Sequence, residues 1–541
     1  MGIGRIVIGS VALYTLAHSL ALAQSPAARC EQLRTLSSAQ ATVTATQWFP
    51  GGRFVPPGQS AAGLPALFDR AMHALPPFCR VSAVLHPVKD SSISTEVWLP
   101  EHWNHRYLQG GNESFGGSIP YVELAAGVRL GFAVAVDDDG HEADDIDARW
   151  GLNAPDKVTD FGHRAVRETA LNATRFVASY YSERPQRAYF SGCSDGGRDS
   201  LMAAQRDTDL FDGWLVGAPE NDLTREQASE LFLAQASARL SAAITPEQLR
   251  LLAQAAQSRC DNKDGVVDGL ISDPLGCDFD PASLSCAAAA GKPCIPAAQL
   301  TAIEQIYNGW HDDKQRIDIP GLRYAMGTED DPGQWTVWLS GLSPATPLGA
   351  HQAFAAQFFA FLVYADPTLN ILTLDPGDAY KQAVQHVGAA VDANSTDLSR
   401  LRAAGKKIIQ YHGWADVVVP AQFSLDYYHA VEQRMGGSVT DFYRLFMVPG
   451  MGHCFGGRGP NSFGQPWEAT TPYEPNQHLL AALQSWVETG RAPERVIATK
   501  YQDDDPAGKV LRTRPLCPFP QRAYYLGHGS IDSEVNFACR R

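Results

Sequence analysis

Ser191-Gly192-Cys193-Ser194-Asp195-Gly196-Gly197 sets the architecture of this chain, because it centres a serine in a G-x-S-x-G pattern. The apolar run Ala188-Tyr189-Phe190 precedes it, and a helical pattern follows from about residue 197 to 205. A serine on a sharp turn between a strand and a helix, flanked by small residues, is typical of a hydrolase nucleophile. We therefore predict that Ser194 is a nucleophile, and an ordinary glycine-rich turn is the structural alternative.

Two cysteines lie directly beside residues of catalytic type. Cys193 precedes Ser194, and Cys454 follows His453 in the run Gly450-Met451-Gly452-His453-Cys454. A disulfide requires Cα atoms about 4.4–6.8 Å apart. If the two cysteines pair, the serine and the histidine must be neighbours in space although they are far apart in the chain. This arrangement predicts a serine hydrolase, in which the nucleophile is held beside its general base.

A serine nucleophile also needs a carboxylate that orients its base. Hydrolases with this turn carry their residues in the chain order Ser, then Asp or Glu, then His. Asp416 follows the predicted strand 408–411, and His453 follows the predicted strand 445–448, so both lie where the active sites of parallel sheets collect. We predict that His453 is the base and Asp416 its partner. His412 as the base, and Asp416 as a simple helix cap, remain open.

The oxyanion of an acyl-transfer reaction requires backbone N–H donors. One should come from Asp195, the residue after the nucleophile, and another from the loop after an earlier strand. That loop is Gly110-Gly111-Asn112-Glu113-Ser114, which follows the predicted strand 106–109. We predict Gly111 and Glu113 as its donors, and a simple glycine turn is the alternative.

The alternation of strands and helices predicts how the 541 residues are organised. From about residue 81, short apolar runs alternate with helical stretches, which predicts a mostly parallel sheet with helices on both faces. This rhythm is missing between about 222 and 400. We predict an α/β fold whose core comprises residues 24–221 and 401–541 and whose insertion, residues 222–400, forms a lid domain. The Ala-, Pro- and Thr-rich residues 24–80 predict an irregular cap.

The N-terminus is typical of a secretory signal. Arg5 supplies a positive charge, residues 6–20 are largely apolar, and Ala21-Leu22-Ala23 provides a small-residue cleavage site. We predict a signal peptide over residues 1–23 and a monomeric protein that is secreted or periplasmic, with a short buried helix as the alternative. The ten cysteines then favour disulfides.

The charge pattern excludes some classes of partner. The formal net charge is −15 without any basic run, which argues against a nucleic-acid partner. After the signal, no stretch approaches the roughly 20 apolar residues that a membrane span needs. We therefore expect a small-molecule substrate, with neither nucleic acid nor membrane as a partner.

The run Asp261–Gly269 crowds carboxylates around a glycine turn. Calcium prefers six to eight oxygen ligands from carboxylates and backbone carbonyls. We predict a structural calcium site here, with a solvated acidic loop as the alternative. Its ligands would be the carboxylates of Asp261, Asp264 and Asp268 and the carbonyls of Val266 and Leu270.

Two other clusters invite a functional interpretation that we consider weaker. The acidic run 137–145 could hold a metal, but we interpret it as a polar loop after a strand. An aromatic concentration in the predicted lid is interpreted mostly as lid core, with one or two rings available to stack on an aromatic substrate. Its members are Trp335, Trp338, Phe354, Phe358 and Phe359.

Together these motifs resemble the tannase and feruloyl esterase family, which includes bacterial mono(2-hydroxyethyl) terephthalate hydrolases. The resemblance covers nearly all of the mature chain. It implies an α/β-hydrolase core with an inserted lid, the triad Ser194–His453–Asp416, the calcium ion and esters of small aromatic acids as substrates. The matching segments are Gly192–Arg198, Tyr411–Asp416, Val448–Cys454 and Arg514–Pro518.

The resemblance also implies how the cysteines pair. From the residues alone, proximity favours only two local bonds, and many other pairings stay open. The implied pairs are Cys30–Cys79, Cys193–Cys454, Cys260–Cys277, Cys286–Cys294 and Cys517–Cys539.

Two departures from the family pattern affect the choice of substrate. Glu113 and Ser114 stand where the family's oxyanion loop usually has more glycine. No arginine occurs between Arg323 and Arg400, the region where a terephthalate-monoester hydrolase would grip its substrate carboxylate, and His351 stands near that place.

We therefore predict a secreted serine carboxylic ester hydrolase that acts on feruloyl- or galloyl-type esters. The alternative enzyme is a mono(2-hydroxyethyl) terephthalate hydrolase. An inactive binding protein on the same fold and an acyltransferase are less favoured.

Overall fold

The computed structural model describes residues 24–58, 66–239, 244–287, 291, 293–313, 317–339, 349–466 and 471–541. The predicted signal peptide, residues 1–23, lies outside the described residues. Within the described ranges, none of the helices combines the length and the apolar character that crossing a membrane would demand.

The strands, numbered in chain order, are β1 (Ala41–Phe49), β2 (Phe78–Leu85), β3 (Ile93–Pro100), β4 (Arg106–Gly110), β5 (Ala133–Asp137), β6 (Arg187–Cys193), β7 (Gly213–Gly217), β8 (Trp310–Asp312), β9 (Ile317–Ile319), β10 (Lys407–Gly413), β11 (Tyr443–Val448), β12 (Val496–Tyr501), β13 (Val510–Leu516), β14 (Arg522–Tyr525) and β15 (Phe537–Arg540). The central sheet has nine strands in the order β1-β2-β3-β5-β4-β6-β7-β10-β11. Six strands of this sheet run parallel to one another: β5, β4, β6, β7, β10 and β11. At the other edge, β1, β2, β3 and β5 pair antiparallel in that order. The remaining strands form two-stranded hairpins.

The helices, numbered in chain order, are α1 (Pro26–Gln32), α2 (Ala66–Ala71), α3 (Tyr121–Arg129), α4 (Pro155–Thr159), α5 (Ala165–Tyr181), α6 (Asp195–Arg206), α7 (Leu223–Ala238), α8 (Pro246–Cys260), α9 (Ala297–Asn308), α10 (Trp335–Trp338), α11 (Ala350–Gln357), α12 (Pro376–Ala383), α13 (Ala389–Val391), α14 (Ser399–Ala403), α15 (Gln422–Arg434) and α16 (Leu479–Thr489). Three π-helical segments extend neighbouring helices, at Asp160–Arg164, Phe358–Val363 and Val384–Gly388.

Helices cover both faces of the sheet because its parallel strands are apolar on both sides. In β5, Ala133 and Ala135 belong to the core that includes α5, α6 and α15. Val134 and Val136, which point the other way, belong to the core with α3 and α16. Successive strand residues face opposite sides of a sheet, so one short apolar run supplies both cores.

Most of the predicted core elements are confirmed. The predicted strands at 106–109, 408–411 and 445–448 correspond to β4, β10 and β11, and the apolar run 188–190 lies in β6. The predicted helix from about 197 to 205 corresponds to α6. The sheet is mostly parallel where these strands lie, as the alternation indicates.

The predicted irregular cap over residues 24–80 is wrong. This segment contains α1 and β1, and β1 pairs with β2 to extend the sheet by an antiparallel edge. The disulfide Cys30–Cys79 ties α1 to β2. The first residues of β1 alternate between buried and exposed, because an edge strand packs one face only. Its small and polar residues therefore gave a weak strand pattern.

Residues 223–403 contribute none of the strands of the central sheet within the described part of this segment. They form helices and a short hairpin. Trp335 is fully buried against Tyr307, and Phe358 and Phe359 are fully buried as well. Trp338 and Phe354 are only half-buried and stack with ring centroids 5.8 Å apart. The aromatic concentration is therefore mostly core, as interpreted.

Candidate active site

Ser194 occupies a strained turn between β6 and α6. Its φ of 61° and ψ of −126° lie in a region that residues other than glycine rarely adopt. The turn is crowded, since a Cβ on Gly192 would lie 2.4 Å from the carbonyl oxygen of Gly196. A Cβ on Gly196 would lie 2.8 Å from the carbonyl oxygen of Asn112. The two glycines of the motif are therefore steric requirements of the turn that presents the serine.

The three predicted triad residues meet at this turn. His453 Nε2 lies 2.7 Å from Ser194 Oγ, and His453 Nδ1 lies 2.7 Å from Asp416 Oδ2. Asp416 Oδ1 accepts hydrogen bonds from the backbone N–H groups of Val418 and Val419, at 2.8 and 3.0 Å. The carboxylate is thus held in one orientation, with its second oxygen directed at the imidazole.

His412 does not take the place of the base. Its Nδ1 lies 2.6 Å from Ser424 Oγ, and its Nε2 lies 2.9 Å from the carbonyl oxygen of Val419. The ring is fully buried. Both ring nitrogens are occupied away from the serine, so His453 is the histidine that contacts Ser194.

The charges around the triad favour an ionised carboxylate and a more basic imidazole. Burial by itself raises the pKa of Asp416, but His453 and His412 outweigh it and hold this pKa well below its usual range. Burial lowers the pKa of His453, whereas Asp416, Glu220 and Glu113 together raise it above its usual value. The imidazole can therefore hold a proton that it receives during a reaction.

The disulfide beside the triad is present. Cys193 and Cys454 are bonded, with Cα atoms 6.0 Å apart, and join the nucleophile turn to the loop of His453. All ten cysteines pair as the family resemblance implies, in the bonds Cys30–Cys79, Cys193–Cys454, Cys260–Cys277, Cys286–Cys294 and Cys517–Cys539.

The predicted oxyanion donors are not equally available. The N–H of Gly111 donates to the carbonyl oxygen of Ser191 at 3.0 Å, so the prediction for Gly111 is wrong in this structure. The N–H of Glu113 lies 2.9 Å from Asn112 Oδ1, a local contact that a substrate oxygen would have to replace. The N–H of Asp195 keeps no acceptor in the part of the chain that the structure describes. The roles of Asp195 and Glu113 stay predictions.

Sequence reasoning missed Glu220, which also contacts the nucleophile. Its Oε1 lies 3.0 Å from Ser194 Oγ, and the side chain is buried. Glu220 follows β7 closely, in the run Gly217-Ala218-Pro219-Glu220, and β7 lies next to β6 in the sheet. An acidic residue just after a buried strand beside the nucleophile's strand was the available signal, because parallel strands end at one edge.

The acidic run after β5 is a polar loop whose first part, Asp137 to His141, is buried, whereas Glu142, Asp144 and Asp145 are exposed. Carboxylate oxygens of Asp139, Asp195 and Asp199 lie within 4.8 Å of one another. Arg198 enters this cluster, with its Nε 2.6 Å from Asp195 Oδ1 and its Nη2 3.1 Å from Asp199 Oδ1. The guanidinium of Arg198, itself a residue of α6, therefore offsets part of the negative charge of these carboxylates.

The predicted calcium loop presents buried oxygens. Asp261 accepts hydrogen bonds from the backbone N–H groups of Asp268 and Gly269, at 3.2 and 2.9 Å. Asp264 accepts one from Val266 at 3.2 Å, and burial raises the pKa of Asp264 to about 6. A buried carboxylate of this kind is stabilised by a cation, so the donor chemistry fits calcium.

Asp268 is already paired with arginines. Its Oδ2 lies 3.1 Å from Arg512 Nη1 and also contacts Arg514 Nη2. A calcium ion would share this carboxylate with two guanidinium groups. The residues thus fit the ion through Asp261 and Asp264 more fully than through Asp268.

A cavity of about 400 Å³ lies beside the oxyanion loop. Phe455 borders it from a position two residues after the base and is 49% exposed. Most of its wall is apolar, which suits a small ligand with an aromatic or aliphatic body. Its lining includes Phe68, Asn112, Glu113, Ile119, Tyr121 and Phe455.

Comparisons with known proteins agree with this geometry. The family described as "Tannase and feruloyl esterase" matches residues 79–540. An uncharacterized esterase of Xanthomonas campestris pv. campestris is 38% identical over 98% of this chain and 94% of its own length. A mono(2-hydroxyethyl) terephthalate hydrolase of Piscinibacter sakaiensis is 30% identical over 86% of this chain and 85% of its own length.

The crystal structure of feruloyl esterase B from Aspergillus oryzae superimposes with a TM-score of 0.85. The two sequences are 25% identical, and the match covers 95% of this chain and 100% of the A. oryzae chain. The architecture is accordingly that of an α/β-hydrolase. The chain belongs to the tannase and feruloyl esterase family and is a carboxylic ester hydrolase.

Proposed function

We propose that this chain is a secreted serine esterase that cleaves esters of small aromatic acids, of the feruloyl and galloyl type. The observation that carries the proposal is the pair of 2.7 Å contacts that link Ser194 Oγ, the imidazole of His453 and Asp416 Oδ2. A hydroxyl in this setting can lose its proton as it attacks a carbonyl carbon.

The proposed reaction proceeds through an acyl-enzyme. Ser194 Oγ forms a bond to the ester carbonyl carbon while His453 Nε2 takes the hydroxyl proton. His453 then gives that proton to the departing alcohol as the ester C–O bond breaks. Water attacks the acyl carbon, its proton passes to Nε2, and Oγ recovers a proton as the acid leaves. Asp416 fixes the imidazole throughout, and backbone N–H groups of Asp195 and the Glu113 loop stabilise the oxyanion.

The aromatic character of the substrate is supported by the cavity beside the oxyanion loop. Phe68, Tyr121 and Phe455 border this space and offer ring faces or edges to a planar acyl group. A feruloyl or galloyl group also carries phenolic hydroxyls, which the Glu113 carboxyl at the same cavity could bind. The structural similarity to a feruloyl esterase B supports this choice.

The second candidate is a mono(2-hydroxyethyl) terephthalate hydrolase, favoured by the relative of that name. Its substrate carries a free carboxylate, which a cation would bind best. His351, which stands near the expected place of such a cation, is fully buried, and its Nδ1 lies 2.7 Å from Glu230 Oε2. Burial lowers the pKa of His351 to about 3, so the ring is neutral at physiological pH. The aromatic esters without a second charge remain our first choice.

We further propose a structural calcium ion at the loop of Asp261, Asp264 and Asp268, with the carbonyls of Val266 and Leu270. The ion would neutralise the buried carboxylates, while Arg512 and Arg514 of β13 hold the same loop through Asp268. Residues 222–400, which carry the loop, are proposed to act as a lid over the core.

Export to the periplasm or the medium is proposed from the signal-like N-terminus together with the disulfides. Five disulfides are stable in an oxidising compartment. We propose a monomer whose partner is the ester substrate alone.

Labelling with a fluorophosphonate tests the nucleophile, because this reagent modifies an activated serine. We expect peptide mapping to find the label on Ser194 and Ser194→Ala to lose both labelling and turnover while it stays folded. Ser200→Ala is the matched control, since Ser200 is a buried serine on the same helix that donates to the carbonyl of Gly196. Turnover by Ser194→Ala would refute the proposal.

A substrate panel separates the two candidate functions. Methyl ferulate, methyl gallate and mono(2-hydroxyethyl) terephthalate are compared by kcat/KM at one pH. We expect the two uncharged methyl esters to be preferred. A clear preference for the terephthalate monoester would favour the second candidate.

A further inference from the structure

Glu220 gives the nucleophile a second polar partner in addition to the base. Ser194 Oγ lies 3.0 Å from Glu220 Oε1 and 2.7 Å from His453 Nε2. The glutamate side chain is only 6% exposed. Oγ therefore stands between two groups that can each accept or hold a proton.

Counting protons decides which group donates in each contact. A serine hydroxyl has one hydrogen and can donate one hydrogen bond. His453 Nδ1 lies 2.7 Å from the ionised carboxylate of Asp416, so Nδ1 carries a hydrogen. A neutral His453 must then accept the serine hydrogen at Nε2. The remaining contact, between Oγ and Glu220, must be donated by Glu220, which requires a protonated carboxyl.

The same number of protons can be arranged in an unproductive way. If Glu220 is ionised and His453 is protonated, Ser194 donates to the carboxylate and Nε2–H donates to Oγ. The imidazole then cannot accept the serine proton, so the base is lost. Two opposite charges in a buried site also cost more than two neutral groups unless other partners solvate them. The neutral arrangement is the one that can react.

The surroundings of Glu220 favour its neutral form. Burial raises the pKa of Glu220 well above its usual value, Glu226 and Asp195 raise it further, and His453 opposes them. Glu226 and Glu230, on α7, have raised pKa values for the same reason. Glu220, Glu226 and Glu230 thus form a row of buried carboxyls. The other titratable and charged groups that face this row are Asp195 and Arg198 of α6, Asp416 and His453 of the strand-end loops, and His351 of α11.

Among the described residues, no cation pairs with Glu230, the carboxyl farthest along α7 from Glu220. Glu230 Oε2 lies 2.7 Å from His351 Nδ1, and burial keeps that imidazole neutral. Arg198, the arginine of the neighbouring helix, is engaged with Asp195 and Asp199. The buried carboxyls beside the nucleophile are therefore neutralised by protons rather than by cations.

We propose that Glu220 is a catalytic hydrogen-bond donor, whose protonated carboxyl stays bonded to Ser194 Oγ through the reaction. This inference rests on the proposed role of Ser194 as the nucleophile. In acylation, the Oγ–carbon bond forms and the serine proton passes to His453, while Glu220 keeps its own proton. In deacylation, the Oγ–carbon bond breaks, Oγ takes the proton from Nε2, and Glu220 stabilises the negative charge that develops on Oγ.

Ionisation of Glu220 would stop this chemistry at high pH. A carboxylate at 3.0 Å would compete with His453 for the serine hydrogen and would place negative charge beside the oxyanion. Loss of the donor should therefore lower kcat, and loss of the proton should appear as an alkaline limb in the pH profile.

Two substitutions separate the donor from its titration. Glu220→Gln replaces the carboxyl with an amide that can donate at every pH, so we expect activity within roughly tenfold of wild type at neutral pH and no alkaline limb from this group. Glu220→Ala removes the donor, and we expect kcat to fall roughly tenfold or more over the whole range. Both kcat and kcat/KM are measured from about pH 5 to about pH 10 with one aryl ester.

Glu329→Gln is the control for the loss of any buried glutamate. Glu329 is fully buried and accepts from the backbone N–H of Gly327 at 3.0 Å, but it contacts none of the triad residues. Its pH profile should match that of wild type. Thermal unfolding and fluorophosphonate stoichiometry confirm that each variant is folded. If Glu220→Ala fails to fold, the profile of Glu220→Gln still tests the inference.

An alkaline limb that is unchanged in Glu220→Gln, or a wild-type kcat in folded Glu220→Ala, would overturn the inference. Ser194→Ala separates this failure from failure of the proposed function. If Ser194→Ala is inert while the Glu220 variants behave as wild type, the donor role alone is wrong. If Ser194→Ala still turns over ester, both proposals fall.

Discussion

Asp416→Asn is the most informative single change, because the structure dictates how the new amide must lie. Asp416 Oδ1 accepts the backbone N–H groups of Val418 and Val419, at 2.8 and 3.0 Å, and Oδ2 faces His453 Nδ1 at 2.7 Å. Asparagine has one oxygen and one NH₂ group. The oxygen will remain with the two backbone donors, so the NH₂ group will face the imidazole.

This orientation gives the base the wrong tautomer. An NH₂ group cannot accept a hydrogen from Nδ1, so His453 will carry its hydrogen on Nε2 and cannot take the proton of Ser194. Flipping the amide would restore the tautomer but would leave two backbone N–H groups unsatisfied, at about 1–3 kcal/mol each. The total of about 2–6 kcal/mol corresponds to a loss of roughly 30-fold to 10⁴-fold in kcat/KM.

The assay is steady-state hydrolysis of an aromatic methyl ester by purified, disulfide-intact protein. Circular dichroism and the unfolding temperature establish that the variant is folded. His412→Asn is the matched control, because His412 Nε2 lies 3.2 Å from the same carboxylate but its ring nitrogens do not contact the serine. We expect it to affect stability more than turnover. An Asp416→Asn enzyme within about threefold of wild type would refute the assignment of the orienting carboxylate.

Three other outcomes are expected. Because the pKa of His453 is raised and only the neutral imidazole is a base, kcat/KM should fall as pH drops through a value above about 6.5, and a midpoint well below that would contradict the electrostatics. Replacing Cys193 and Cys454 together by alanine should cost about 2–4 kcal/mol of stability and lower kcat, whereas an unchanged unfolding temperature would show that the bond does not constrain the fold. Excess chelator should lower the unfolding temperature of wild type but not of an Asp261→Asn/Asp264→Asn variant, and an equal response of both would exclude the calcium loop.

Local sequence predicts the parts of the site that local backbone chemistry controls. The G-x-S-x-G turn is one example, since Gly192 is required by its contact with Gly196 inside the motif, although Gly196 is also confined by Asn112 of a distant loop. The strands that carry Asp416 and His453 are another, because buried parallel strands are short apolar runs whichever sheet they join. If Cys193 pairs with Cys454, adjacency in the chain places that bond beside Ser194 and His453.

Packing between distant segments decided the rest. Whether His412 or His453 reaches the serine depends on which way each loop turns after its strand, and both histidines follow apolar strands equally well. The same applies to Gly111, whose N–H is used by Ser191 only because β4 lies beside β6.

The sequence by itself therefore determined the nucleophile, the order of the triad and the fold class of this protein. Only the tertiary structure decided that Glu220 contacts Ser194, that Asp139 is buried beside Asp195 and Asp199, and that β1 completes the sheet edge. The physical reason is that residue type and spacing control backbone conformation over a few residues. Distances between side chains from separate strands are set by sheet register and helix packing, which many weak contacts determine jointly.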